Sequence, residues 1–287
     1  MRKYDQLIGK EIGSGVVSWN SDRTLLYAVG VGAGLDDPLQ ELQFTTENTP
    51  GLPQQVLPSF LSLLSVEGNW SDVFGFKEGR YPVGMVHGEQ SVSLARPIPP
   101  SGTARVSSVL LGIYDKGSGA LAVSETRITL DSGEFLGSAR MALFAQGLGG
   151  FGGPRTPDDE QPWTKPEHTP DMIVSLPVGL NQSLIYRLLG DHNPHGTYPP
   201  RAQADGFDRP IYYGLGSFGV ACRALLRGLC EGDVTRFGSM HCRNSKPVYP
   251  GDNLDAHIWR NESGALFQVL ANGERIALDR GVFRFSE

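Results

Sequence analysis

The chain has 287 residues, 39% of them apolar and 20% charged, with a formal net charge of −6. That size suits one large or two ordinary globular units, and the acidic balance argues against nucleic acid as the main partner. No apolar run approaches the roughly 18 residues of a membrane span, and the opening MRKYDQLIGKEIG lacks the apolar core of a signal peptide, so a cytoplasmic location is expected.

Thirty-seven glycines and 20 prolines point to many turns and short strands rather than a helical bundle. The first half opens with a strand-like Gly15–Trp19, followed by TLLYAVGVGAG. Leu52–Leu64 has helical period. Four alternating stretches then read as strands, Met85–Leu94, Thr103–Asp115, Ala120–Thr129 and Phe135–Ala145, with turns at DKGSG and DSGE. His87 and Glu89 lie two residues apart within the first of these. On a regular strand that spacing puts them on one face, where a local ion pair or a surface patch is expected in preference to catalysis.

GLGGFGGPRTPDDEQPWTKPEHTP, dense in Gly, Pro and acidic residues, reads as a connector crossing a surface. Its glycines follow a strand but lead into proline-rich chain and not a helix, which excludes a dinucleotide loop. Residues 1–150 therefore form one unit, 151–170 the connector and 171–287 a second unit.

The second unit starts with MIVSLPVGLNQSLIYRLLGD. A polar cluster follows, Asp191, His192, Asn193, Pro194 and His195, and then IYYGLGSFGVACRALL, which reads as a buried helix entered through Pro210. Expected strands are Val234–Met240, Asn253–Trp259, Ala265–Ala271 and Glu274–Phe285. Each half is thus one main apolar helix followed by about four antiparallel strands, an α+β plan in which a curved sheet wraps a helix.

Cys222, Cys230 and Cys242 suit a reducing compartment. Cys230 and Cys242 lie near His241, but the spacing fits no zinc pattern, so no metal is expected.

The polar cluster admits two readings. A carboxylate and imidazoles before a glycine-bearing helix start suit proton transfer next to a backbone N–H that holds an oxyanion. GDHNP is also an ordinary turn composition. The longer motifs bear on this choice. HGEQSVSLARPIPPSG, YDKGSGA and LFAQGLGGFGGPR in the first half, with YRLLGDHNP, AQADGFDRPI and GLGSFG in the second, resemble the type 2 enoyl-CoA hydratases, the MaoC-like dehydratases with a double hot-dog fold. The resemblance covers nearly the whole chain.

It implies a double hot-dog in which the first half is non-catalytic, and reversible addition of water to a trans-2-enoyl-CoA. Asp191 and Asn193 match the motif acid and amide, Ala202 the small residue beyond them, and Gly214 the glycine whose N–H binds the thioester oxygen. The motif histidine is replaced by Gly196, with His195 in the preceding aliphatic position. The second family histidine, before the oxyanion glycine, is Tyr213.

The expected catalytic set is Asp191, Asn193, His195 and Gly214. Tyr213 would narrow the substrate site, and Arg187, Arg209 and Arg201 are candidates for the CoA phosphates. No cofactor is expected beyond CoA as substrate carrier, and a homodimer is compatible with the fold. Three functions stay open: a hydratase using His195, an acyl-thioester-binding protein without hydratase activity, and an altered chemistry using Tyr212 or Tyr213.

Overall fold

A computed structural model describes residues 5–67, 69–70, 73, 84–158, 160 and 162–286. The first four residues of the N-terminal stretch discussed above lie outside them.

The first half runs through β1 (Glu11–Trp19), α1 (Ser21–Gly30), α2 (Leu42–Thr45), α3 (Phe60–Ser65), β2 (Asn69–Trp70), β3 (Met85–Leu94), β4 (Gly102–Asp115), β5 (Gly119–Leu130) and β6 (Phe135–Gln146). The second contains β7 (Met172–Pro177), α4 (Gln182–Tyr186), α5 (Pro199–Ala204), α6 (Gly214–Cys230), β8 (Phe237–Asn244), β9 (Asn253–Asn261), β10 (Gly264–Ala271) and β11 (Arg275–Phe285). The eleven strands among the described residues join one antiparallel sheet in the order β2-β1-β4-β5-β6-β3-β8-β11-β10-β9-β7. The halves meet at β3 and β8, where Glu89–Ser93 pairs with Arg243–Ser239.

The expected strands appear because their alternation puts one set of side chains inward. In β4, for example, Ala104, Val106 and Leu110 are buried on alternating positions. α6 is apolar on nearly every face and correspondingly buried along its length. It packs against β7, β8, β9 and β11 from its own half and β3 from the other.

Three boundaries differ from expectation, each for a local reason. Leu52–Leu64 is helical only over Phe60–Ser65, because Pro53 and Pro58 lack the donor a helix needs and Pro58 biases Leu57 toward extended backbone. Val234–Arg236 is a 3-10 turn capped by the Asp233 carboxylate, which accepts from Thr235 N at 2.9 Å, so the strand runs from Phe237 to Asn244. α6 begins at Gly214 and not just after Pro210, since Tyr212 is still extended and donates its N–H to Val248 O (2.7 Å). The TLLYAVG stretch becomes α1, capped by Asn20, whose side chain accepts from Arg23 N (3.0 Å).

Two polar clusters fasten the halves and the connector. Arg223 of α6 is fully buried and reaches into the first half, donating to Val31 O (3.0 Å) and to the Glu41 and Asp36 carboxylates. Asp115 accepts from the amides of Gly117, Gly150 and Gly152, which holds its carboxyl down at about 2. Further along the connector, Trp163 donates to Gly281 O (3.0 Å) and His168 O accepts from Trp259 (2.9 Å). The three cysteines are buried and unbridged. Among the described residues no helix is long and apolar enough to cross a membrane.

Candidate active site

The motif turn hangs from α4. Gly190, with φ 114°, reverses the chain, and the Asp191 carboxylate then accepts from Asn193 N (3.1 Å), an Asx turn. Burial drives the Asp191 carboxyl up to about 6, partly offset by that hydrogen bond. Asn193 is fully buried, and neither atom of its side-chain amide has a hydrogen-bond partner. Pro194–Gly196 makes one 3-10 turn that swings His195 inward. Ala202, fully buried on α5, lies under the segment.

The carboxylate beside His195 is Asp205, whose Oδ2 lies 3.8 Å from His195 Nδ1 and accepts from Arg201 Nε at 2.7 Å. Burial pulls His195 down to about 4, with the Asp205 charge opposing it and Arg201 adding to it. The imidazole is therefore neutral at pH 7. Asp205, which the sequence analysis did not single out, is thus a carboxylate placed beside His195.

Gly196 and Tyr213, the two positions where histidine is replaced, fit together in space. A Cβ built on Gly196 would lie 2.5 Å from Tyr213 Cζ and 2.8 Å from its hydroxyl. The phenol thus occupies the room that any side chain at 196 would need. Its hydroxyl donates to Asn193 O (3.1 Å), and its ring stacks on Tyr186 at 5.4 Å and meets His195 at 5.9 Å. Burial and the nearby Asp191 charge raise the Tyr213 pKa further above its ordinary value, so it is no base at neutral pH.

A cavity of about 180 Å³ opens beside this cluster, lined among others by His87, His195, Phe207, Tyr212, Gly214 and Asn244. Asp191, Asn193 and Tyr213 are not among its described lining residues. Gly214 is the first residue of the 17-residue α6, whose opening amides have no intrahelical carbonyl to meet and carry the positive end of the helix dipole. A Cβ on Gly214 would come within 3.2 Å of Asn244 Nδ2 and 3.5 Å of His87 Nδ1. Glycine keeps that approach open to a ligand oxygen.

The candidate phosphate-binding arginines Arg187, Arg201 and Arg209 are not among the described lining residues of the cavity. The Arg209 guanidinium sits over the Tyr249 ring at 4.7 Å, Arg201 binds Asp205, and the Arg187 charge bears on Tyr213. Among the described lining residues the cation is Lys246, just beyond β8. Lys246, Asn244 and Asp205 escaped the sequence analysis, and His87 was given there to a surface role. Only His87 carried a signal there, its place in VHGEQ, and regular alternation assigned it to a surface pair with Glu89. The structure instead puts His87 on the cavity, its contact with Glu89 being with the backbone carbonyl (3.0 Å).

Two helix-bearing halves joined in one antiparallel sheet define a double hot-dog protein, here with a helix N-terminus and imidazoles on one cavity. Residues 18–147 match the MFE-2 hydratase 2 N-terminal domain, and residues 161–276 match the MaoC like domain. The chain is 34% identical over 278 residues to the enoyl-CoA hydratase ChsH3 of Mycobacterium tuberculosis, covering 93% of this chain and 92% of that one. It is 38% identical over 280 residues to 3-hydroxyacyl-thioester dehydratase Y of the same organism, covering 93% of each. A MaoC-like dehydratase from Phytophthora capsici superposes with a TM-score of 0.83 at 30% identity, over 98% of this chain and 97% of that one. The chain belongs to the MaoC-like dehydratase family, with an MFE-2 hydratase 2 N-terminal domain.

Proposed function

We propose that the protein is a 2-enoyl-CoA hydratase and, in reverse, a 3-hydroxyacyl-CoA dehydratase in which His195, backed by Asp205, performs the proton transfer of the missing motif histidine. One observation carries this reading: the His195 imidazole and the N-terminal amide of α6 at Gly214 face one cavity. Asp205 favours the tautomer with its proton on Nδ1, which makes Nε2 the basic nitrogen.

Water oxygen bonds to C3 of the enoyl thioester, and the double-bond electrons move toward the thioester oxygen at Gly214 N–H. One water proton passes to His195 and is returned to C2 as the carbonyl re-forms. The enolate forms beside a helix dipole, and the imidazolium beside Asp205, so each transient charge meets its opposite. Asp191 and Asn193 shape the turn that aims His195, and Tyr213 closes the space behind it. Lys246 is the cation placed to meet the anionic CoA moiety.

The reaction calls for no cofactor or metal, with CoA as the carrier of the substrate. The unbridged thiols support a reducing compartment such as the cytoplasm, and a homodimer fits the fold.

The filling of the motif histidine's space by Tyr213 favours a second reading, an acyl-thioester-binding protein without turnover. Loss of the conjugated thioester absorbance of a short and a long 2-enoyl-CoA decides between them. Turnover that His195→Ala lowers by about 10³-fold, within the range for a lost proton-transfer group, supports the hydratase. Binding without turnover supports the second reading.

A further inference from the structure

β3 is the seam strand of the first half, and it carries a β-bulge at Gly88. Along β6, His87 pairs with Leu143 and Glu89 with Ala142, so two steps on β3 match one on its partner. Leu143 and Ala142 are consecutive and face opposite sides of the sheet, and so therefore do His87 and Glu89. A Cβ at position 88 would lie 3.2 Å from Ala142 O, which explains glycine at the bulge. The bulge turns His87 into the cavity beneath α6, while Glu89 turns away and its charge acts on His241.

The polarity of the ring follows from its hydrogen bond. Nε2 lies 3.0 Å from Glu89 O, and a carbonyl only accepts, so Nε2 carries the proton and Nδ1 is a bare acceptor. Asn244 Nδ2 donates to His87 O (3.1 Å) and fixes the strand at that point. Nδ1 faces the opening of α6, 3.5 Å from where a Cβ on Gly214 would stand. Burial holds His87 down at about 4, opposed by the Glu89 carbonyl and the Gln90 side chain, so the ring stays neutral at working pH.

The motif positions to which the resemblance assigns imidazoles are Gly196 and Tyr213 here, and Asp191 is not among the described lining residues of the cavity. One acceptor, His195, takes a proton from water, and the second water hydrogen calls for another. We propose that His87, from the half expected to be non-catalytic, is a catalytic residue whose Nδ1 accepts the O–H that the attacking water keeps. That hydrogen stays on the product, so in dehydration the same nitrogen accepts from the 3-hydroxyl of the substrate. His87 holds one O–H, His195 takes the proton of the other, and the oxygen lone pair is aimed at C3. An acceptor that never becomes charged suits the positive end of a helix.

This inference rests on the hydratase reading, and its test separates the two. His87→Ala and His87→Asn are compared with the unsubstituted chain in hydration of crotonyl-CoA and of a long-chain 2-enoyl-CoA. Binding of 3-hydroxyacyl-CoA and of saturated acyl-CoA of equal length is measured alongside. The alanine variant is expected to lose about 10²-fold in kcat, the scale of a misplaced reactant. It should bind saturated acyl-CoA as before and lose about tenfold in preference for the 3-hydroxy compound. Asparagine, whose Oδ1 stands near the place of Nδ1, should recover at least a tenth of the unsubstituted rate.

Unchanged turnover by an active protein carrying His87→Ala overturns the role of His87 and leaves the hydratase intact. So does parallel loss of both binding affinities, which marks a structural role. No turnover by the unsubstituted chain removes both proposals together.

Discussion

The two halves share a plan and differ in how their helices begin. α6 starts at Gly214 directly from extended Tyr213, and its free first amides open onto the cavity. The first-half helix α3 is six residues long, is entered behind Pro58 and is buried at every position, with its Ser62 hydroxyl turned back on Ser59 O (2.7 Å). A duplicated fold needs only one helix terminus as a carbonyl-binding site. The other half is then free to spend its helix on packing and to serve the site from its seam strand.

Substitutions at equivalent places should therefore act on chemistry in one half and on stability in the other. The largest effect is expected from His195→Ala, about 10³-fold in kcat with the thermal midpoint nearly unchanged, read from steady-state hydration beside a melting curve. Gly214→Ala should cost about 10²-fold in kcat/KM, because the methyl group enters the space between Asn244 and His87 and moves the thioester oxygen off the amide. Its first-half counterpart, Leu61→Ala in α3, should cost about 3 kcal/mol in chemical denaturation while the folded fraction turns over at the normal rate. A rate loss in the Leu61 variant at full folding would break the division of labour.

Gly196→His alone should destabilise the protein by about 1–3 kcal/mol through overpacking against Tyr213 and restore nothing. Paired with Tyr213→His, the same change should regain the stability and raise turnover. A gain from the single change would show that Tyr213 moves aside freely.

The smallest expected effect on rate, under tenfold, comes from Asp191→Asn, since asparagine also accepts from Asn193 N. Its signature is pH-dependent stability. The folded-state pKa of Asp191, about 6, lies above the unfolded value, so the stability linked to its protonation is present below about pH 4 and lost as pH rises to 6. Denaturation curves should show the asparagine variant ahead by about 3 kcal/mol at pH 7.5 and nearly level at pH 4.

Much of the sheet was legible because alternation and turn residues are local signals. β3 falls on the expected Met85–Leu94, and β4 to β6 end within a residue of expectation. The helix in the first half was overextended because apolar period outweighed Pro53 and Pro58. The departures at 196 and 213 were visible one at a time, but their fit to each other is a contact across 17 residues of chain that no period encodes. His87 was misread by a rule that holds for regular strands, because a bulge leaves no mark in an alternation count beyond one glycine. Asn244 and Lys246 reach the cavity from the end of β8, about 50 residues past the motif, and only the folding of β8 against β3 brings them there.

Arg223 carries a consequence for how such a chain recognises its own parts. Its guanidinium arises in the second half, yet its partners Val31, Asp36 and Glu41 all belong to the first. A second-half unit docked on another copy of itself would bury that cation with no acidic loop to receive it, a cost of several kcal/mol. Two separately expressed halves should therefore assemble as unlike partners and reject self-pairing. The fused chain keeps the address label of a heterodimer inside a single polypeptide.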